Sequence, residues 1–246
     1  MELEICVDSY ESLINAKKAG ADRIELCSAL EIGGLTPSYG LMKEASELED
    51  IEIFVMIRSR SGDFYYEEME IETMKKEIDL AKELKLEGIV FAALNVDGSL
   101  NLKLIKEMID YAKPLKLALH RAFDVAKDPE KDMEALIDMG VIRILTSGRE
   151  DRAIKGADFI SKIQKEYGDR IQIMPGSGVN SSNLQDLHKL VNCKAYHMSG
   201  KKRLESKLQY RSKIKFSDDD YARNITDPIE VKKARDILDK LEGVDE

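Results

Sequence analysis

Strand-like and helix-like patterns alternate eight times along this 246-residue chain. Short apolar runs bounded by polar residues are typical of buried strands, and each one is followed by a segment with helical spacing of apolar residues. Strands that alternate with helices form a parallel sheet, and eight such units favour a closed (β/α)8 barrel over an open doubly wound sheet. The predicted strands are 2–7, 22–27, 51–57, 88–94, 115–124, 141–145, 170–174 and 194–198.

The segments between these strands predict helices of ordinary length, and no shift in composition marks a second domain. We therefore predict one α/β domain over residues 1–246, a common size for a TIM barrel. Residues 200–226, between the last strand and the last helix, are predicted to be irregular. A loop of this length is usually functional or mobile, so we expect a flap or an oligomer contact, with plain disorder as the alternative. The predicted helices are 8–20, 38–48, 70–84, 100–111, one beginning at 128, 151–167, 180–191 and 227–241.

Charge and cysteine content restrict the class of protein. The formal net charge is −9, whereas nucleic-acid-binding proteins usually carry a basic face. No apolar run approaches the roughly 20 residues of a membrane span, and the N-terminus lacks the pattern of a secretory signal. Three cysteines without a CxxC pair predict reduced thiols rather than a disulfide framework. We expect a cytoplasmic protein that forms a homo-oligomer and binds neither nucleic acid nor membrane.

Polar side chains collect at the carboxyl ends of the predicted strands, where TIM barrels carry their active sites. If side chains alternate along each strand, the inward-facing residues include Glu25, Arg58, His120 and His197. These four are the candidate catalytic residues, with Glu25 and His120 as acid or base and Arg58 as an anion clamp. The alternative is a structural ion pair between Glu25 and Arg58. Glu4, at the opposite strand ends, is expected to form a structural pair.

Small residues follow the sixth, seventh and eighth strands. Backbone N–H groups in such loops can approach an anion, and the loops after strands 7 and 8 are the usual phosphate site of this fold. A tight turn that requires glycine would give the same pattern. The predicted phosphate- or carboxylate-binding residues are Ser147, Gly148, Gly176, Ser177, Gly178 and Ser199.

Two of the cysteines lie on neighbouring predicted strands. The same alternation predicts that Cys6 and Cys27 both face inward, and two close thiolates suit Cu(I), a soft ion. Met56 would be a third soft ligand. The alternative is two small buried core residues, since cysteine is commonly buried. Cys193 is expected on a surface turn.

Several long motifs, in order along the chain, resemble the CutC family. This resemblance runs from residue 2 to about 200 and is weaker beyond. The sequence departs from the family pattern at Ser177, where GSG replaces the usual GGG, and at Ser59 and Ser61, where RSRSGDF replaces RPRGGDF. We expect the first change to alter the anion-binding loop and the second to loosen the loop after strand 3. The motifs are ICVDS at 5–9, GADRIELCSAL at 20–30, GGLTPS at 33–38, VMIR at 55–58 with GDF at 62–64, HRAFD at 120–124, ILTSG at 144–148 and MPGSGV at 174–179.

The resemblance implies a TIM barrel, a cytoplasmic location and a role in copper homeostasis with copper-ion binding. The two cysteines proposed to hold Cu(I) in that family match Cys6 and Cys27. The residues themselves favour a different hypothesis, a metal-free enzyme that acts on a small anionic or phosphorylated substrate at the mouth of the barrel. Apart from copper, no cofactor is expected.

Overall fold

The computed structural model describes residues 1–215 and 220–243. Eight parallel strands form one sheet in the order β7-β6-β5-β4-β3-β2-β1-β8, and β7 lies next to β8, so the sheet curls into a barrel surrounded by helices. The predicted (β/α)8 TIM barrel is confirmed. The strands are β1 Glu2–Val7, β2 Arg23–Leu26, β3 Glu52–Met56, β4 Gly88–Val90, β5 Lys116–Leu119, β6 Arg143–Thr146, β7 Gln172–Pro175 and β8 Ala195–Met198.

The helices begin where the sequence supplies capping side chains. Ser9 accepts a hydrogen bond from the amide of Ser12, Asn101 from that of Leu104, and Asp227 from that of Ile229. Such caps satisfy amides that have no partner within the helix. The helices are α1 Tyr10–Lys18, α2 Tyr39–Ser46, α3 Glu68–Glu83, α4 Leu102–Ala112, α5 Ala122–Val125, α6 Met133–Met139, α7 Ala157–Tyr167, α8 Leu184–Val191 and α9 Pro228–Leu241, with 3-10 turns at Leu30–Ile32 and Pro129–Asp132.

Several predicted boundaries differ from the observed ones. The predicted fifth strand continued to residue 124, but β5 ends at Leu119 and the short helix α5 follows. The helix predicted from residue 128 starts as a 3-10 turn, and the segment 200–226 contains two strands, β9 Lys201–Glu205 and β10 Ala222–Thr226, that pair antiparallel. Cys193 is buried rather than on a surface turn.

Each strand directs one face toward the helices and the other into the barrel. Leu3, Ile5 and Val7 of β1 belong to the main apolar core between the sheet and the helices. The opposite faces form inner clusters, which contain Cys27, Phe54, Met56, Val90 and Ala118 on one side and Leu145, Met174 and Ala195 on the other. The predicted inward-facing register is therefore confirmed.

A buried ion-pair network closes the amino-terminal end of the barrel. Arg23 donates from Nε to Glu4 at 2.6 Å, and Arg143 lies 3.3 Å from the same carboxylate. The two guanidinium groups also lie over the ring of Phe54, 5.7 and 4.6 Å from its centre. Buried charges are tolerated when they are paired in this way. The predicted structural pair at Glu4 is confirmed.

Candidate functional site

A thiol, a carboxylate and an imidazole meet inside the barrel, from three neighbouring strands. Cys6 on β1 is in register with Glu25 on β2, and β8, which carries His197, flanks β1 on its other side. The sulfur of Cys6, a carboxylate oxygen of Glu25 and a ring nitrogen of His197 all lie within 4.8 Å of one another. The three residues are 8%, 3% and 8% exposed. Because these three atoms converge in a buried place, each could act as a ligand of a bound ion.

The charge of this cluster is concentrated on His197. Its Nε2 lies 3.0 Å from Glu25 Oε2 and 3.9 Å from Glu4 Oε1. Burial alone would lower the pKa of His197, but the acidic groups of Cys6 and Glu25 outweigh it and raise that pKa well above its usual value. The ring therefore acts as the cation that balances its acidic neighbours when no other positive charge is present.

Cys27 lies outside this cluster, in an apolar pocket with Met56. The pocket is covered by Gly34, whose backbone has a φ of +85°. A Cβ atom on Gly34 would lie 3.3 Å from Cys27 Sγ and 3.6 Å from Met56 Cε. Burial, reinforced by the negative charge of Glu25 and Cys6, raises the pKa of the Cys27 thiol well above its usual value. Cys27 is consequently a neutral thiol unless a cation approaches it.

Arg58 holds the loop after β2 in place. Its Nη1 donates to the carbonyls of Ile32 and Gly34, both at 3.0 Å, and its Nη2 donates to that of Gly62 at 2.7 Å. The predicted structural alternative, an ion pair between Glu25 and Arg58, is wrong, because Glu25 is bound to His197 instead. Only Nε of Arg58 is left without a partner among the described residues.

His120 is buried beside the loop after β3. The ring of Phe64 in that loop contacts both His120 and Arg58, with its centre 4.9 Å from the imidazole centre and 4.8 Å from the guanidinium carbon. Burial, together with the charge of Arg58, lowers the pKa of His120 to about 3. The amide of Ala122 donates to Nδ1 at 3.1 Å, so the proton of the neutral ring is on Nε2. This Nε2–H has no acceptor in the described part of the chain, which suits a hydrogen-bond donor better than a proton shuttle at neutral pH.

The loop after β6 already binds a carboxylate from its own chain. Asp124 accepts hydrogen bonds from the amides of Ser147 and Arg149 and from the hydroxyls of Thr146 and Ser147, at 2.5–3.2 Å. The amide of Gly148 donates to Thr146 Oγ1 at 2.9 Å. Ser147 and Gly148 were predicted to bind an anion, but their amides and the Ser147 hydroxyl are already hydrogen-bonded within the protein. Asp124, the last residue of the HRAFD motif, is not among the predicted site residues.

The loops after β7 and β8 are more open. The hydroxyl of Ser177 donates to the carbonyl of Asp151 at 2.6 Å, but no partner is found for the amides of Ser177, Gly178 and Ser199 among residues 1–215 and 220–243. A Cβ atom on Gly176 would lie 3.2 Å from His197 Nδ1, so the absence of a side chain there leaves room for the imidazole. The amide of Gly176 donates to the carbonyl of Thr146 at 2.9 Å, so three of the predicted anion-binding residues, Ser177, Gly178 and Ser199, keep an amide without a partner in the described ranges.

None of the helices in the described ranges has the length and apolarity that a bilayer span requires. Fold and site together define a (β/α)8 barrel with sulfur, carboxylate and imidazole groups at the carboxyl-terminal ends of its strands. A family model, that of the CutC family, matches residues 1–202. The chain belongs to this family.

Relatives with known names agree with this assignment. A family protein CutC from Parabacteroides distasonis is 44% identical over 211 residues, which are 85% of this chain and 87% of the relative. The copper homeostasis protein cutC homolog of Homo sapiens is 39% identical over 235 residues, 94% of this chain and 86% of its own length. The crystal structure of the putative copper homeostasis protein CutC from Streptococcus agalactiae superposes with a TM-score of 0.77 at 32% identity, covering 81% of this chain and 98% of that one.

Proposed function

We propose that this protein binds Cu(I) in the cytoplasm as part of copper homeostasis, with Cys6 and Cys27 as ligands and Met56 as a third soft donor. The observation that carries the proposal is the placement of three sulfur side chains on the neighbouring strand ends of β1, β2 and β3, facing the same lumen. Sulfur is the donor that Cu(I) prefers. The names of the relatives support copper as the ion.

The chemistry of the donor set fits this ion. Cys6 is in register with Glu25, two residues before Cys27, and the Cys27 amide donates to the carbonyl of Val7 at 2.8 Å, so the two cysteines lie close together on adjacent strand ends. The positive charge of Cu(I) would favour the thiolate of Cys27, which burial otherwise disfavours. All three cysteines are free, as the reducing cytoplasm requires.

The test is an anaerobic Cu(I) competition titration against a chelator. Wild type is compared with Cys6→Ser, Cys27→Ser and Met56→Leu, with Cys193→Ser as the matched control because Cys193 is buried elsewhere. We expect one equivalent of Cu(I), at least about tenfold weaker binding in each of the first two variants, and no change in the control. Binding that is equally tight in wild type and Cys27→Ser would contradict the ligand assignment. Binding that is weak in wild type would contradict the function.

The second candidate function is an enzyme that acts on a small anionic or phosphorylated substrate without a metal. It is favoured by three buried polar atoms without partners in the described residues, Glu25 Oε1, Arg58 Nε and His120 Nε2. Buried polar groups are normally hydrogen-bonded, so such atoms point to a missing partner. A substrate oxygen would accept from His120 Nε2 and Arg58 Nε, while Glu25 would exchange a proton.

A screen of phosphorylated metabolites for a rise in melting temperature tests this second function, since a ligand that binds only the folded state stabilises it. The rise should disappear in His120→Asn and remain in Cys27→Ser. A shift of the same size in His120→Asn would place the ligand elsewhere.

We also propose a homo-oligomer, formed through the segment that follows β9. Leu208, Tyr210 and Ile214 are 66%, 81% and 69% exposed, and large exposed apolar groups on one segment are typical of contact surfaces. Residues 201–215 carry seven basic and one acidic side chain on a chain of net charge −9, so an acidic surface of a second copy would be complementary. Light scattering after gel filtration should show a smaller species when the three apolar residues are replaced by serine.

A further inference from the structure

The cluster of Cys6, Glu25 and His197 differs in kind from the sulfur pocket beside it. Its three converging atoms are one sulfur, one oxygen and one nitrogen. A soft monovalent ion has little affinity for a carboxylate, whereas an ion of borderline softness such as Zn²⁺ binds thiolate, carboxylate and imidazole alike. The donor set therefore does not match the ion that suits Cys27 and Met56.

The buried atoms of this cluster are incompletely used. Glu25 Oε1 has no hydrogen-bond partner within the described ranges. The hydrogen bond that the Cys6 sulfur makes to the carbonyl of Met198 is long, at 3.8 Å. Only one oxygen of Glu25 is bound, to His197 at 3.0 Å. Unsatisfied groups at this depth are uncommon, and a bound ion would give these atoms a partner.

The balance of charge favours a divalent ion. A Cys6 thiolate and a Glu25 carboxylate carry two negative charges, and the neighbouring Glu4 is already neutralised by Arg23 and Arg143. A divalent ion bound by these two anions and a neutral imidazole gives a net charge of zero. A monovalent ion would leave one buried negative charge unbalanced, which is costly at this depth.

We propose that Cys6, Glu25 and His197 form a site for a divalent metal ion of borderline softness, Zn²⁺ by chemical class, with a fourth coordination position left free. Three protein ligands and one open position are the arrangement of catalytic zinc sites, whereas structural sites use four protein ligands. The three ligands all come from the barrel wall formed by β1, β2 and β8, so a fourth ligand would approach from the lumen. A water molecule or a substrate oxygen would occupy the open position.

This inference does not depend on Cu(I) binding, although the two sites share Cys6. The shared thiolate implies that the two ions compete. The remaining ligands are separate, so single substitutions distinguish the sites. Cys27→Ser should abolish only Cu(I) binding, and Glu25→Gln or His197→Asn should abolish only binding of the divalent ion.

The experiment is an anaerobic titration of the metal-free full-length protein with Co²⁺, the spectroscopic substitute for Zn²⁺. We expect one equivalent, with a thiolate-to-cobalt charge-transfer band and intense visible bands typical of a four-coordinate ion. Cys6→Ser should abolish the charge-transfer band. Glu25→Gln and His197→Asn should each weaken binding by more than about 100-fold, since even an outer-shell partner contributes about 10–100-fold.

Cys27→Ser and Cys193→Ser are the matched controls and should keep the full spectrum. Far-ultraviolet circular dichroism identifies any variant that fails to fold, and either Glu25→Gln or His197→Asn is sufficient if the other does not fold. No charge-transfer band in wild type would overturn the inference. A band that persists with unchanged affinity in a folded Glu25→Gln or His197→Asn variant would do the same, and loss of the band in Cys27→Ser would assign the cobalt to the sulfur pocket instead.

Discussion

The buried imidazole of His120 should make the stability of this protein decrease at mildly acidic pH. The folded state holds the pKa of His120 at about 3, whereas an unfolded chain has a histidine pKa of about 6.5. Between these two values the unfolded state binds more protons, so acidification favours unfolding. This contribution to stability is complete above the unfolded-state pKa and is lost as the pH decreases below it.

The size of the effect follows from these two values. At pH 7.5 an unfolded histidine is only about one-tenth protonated, and at pH 5 about 97% of it is protonated. The difference destabilises the folded state by about 2 kcal/mol at pH 5 relative to pH 7.5. Because the folded-state pKa lies well below 5, this figure depends almost entirely on the unfolded-state value.

The substitution His120→Asn removes the titrating group, and its side-chain oxygen can still accept a hydrogen bond from the Ala122 amide. Urea unfolding at pH 7.5 and pH 5, for wild type and variant, gives four free energies of unfolding. Groups that titrate in both proteins, including His197 with its opposite shift, cancel in the comparison. The destabilisation caused by the substitution should be about 2 kcal/mol smaller at pH 5 than at pH 7.5. Equal destabilisation at the two pH values would refute the reasoning.

Three further substitutions test the packing around the site, each by urea unfolding at neutral pH. Asp124→Asn should destabilise the protein by about 3 kcal/mol, because its buried carboxylate accepts from two amides and two hydroxyls of the loop after β6, and a loss below about 1 kcal/mol would contradict that role. Gly34→Ala should cost more than the roughly 1 kcal/mol expected for Gly140→Ala, since both residues have positive φ but only Gly34 lies against a thiol. Glu4→Gln should destabilise by about 3 kcal/mol and Glu2→Gln by less than about 1 kcal/mol, because only Glu4 is buried; similar losses would refute the distinction.

The barrel could be predicted because its signal is repeated eight times and each unit is locally readable. The residues at which the strands end could not be predicted. Residues 91–93 are as apolar and buried as β4 itself, so the sequence does not show where the hydrogen-bonded ladder stops. The hairpin of β9 and β10 was missed for the opposite reason, because most of its residues are exposed and it lacks the alternation of apolar and polar residues that marks a half-buried strand.

The candidate site shows a similar division. The alternation of side chains along a strand was enough to predict that Cys6, Glu25 and His197 face into the barrel. Their meeting could also have been inferred, because barrel closure brings β8 beside β1. The partners of Arg58 and Ser147 could not be predicted. These partners are loop carbonyls for Arg58 and the carboxylate of Asp124 for Ser147. Their positions depend on the path of the loop backbones, which no sequence pattern indicates.

The hydrogen bonds from Arg58 to the loop after β2 should affect the rates at which a ligand reaches and leaves Cys27. Gly34 covers Cys27, and the guanidinium of Arg58 fastens that loop through hydrogen bonds to Ile32 and Gly34. Cys27 has no exposed surface, so we expect an ion to reach it, and to leave it, only while those hydrogen bonds are broken. Entry and exit are then slowed by the same factor, so the loop lengthens the residence time of a ligand without changing its equilibrium occupancy.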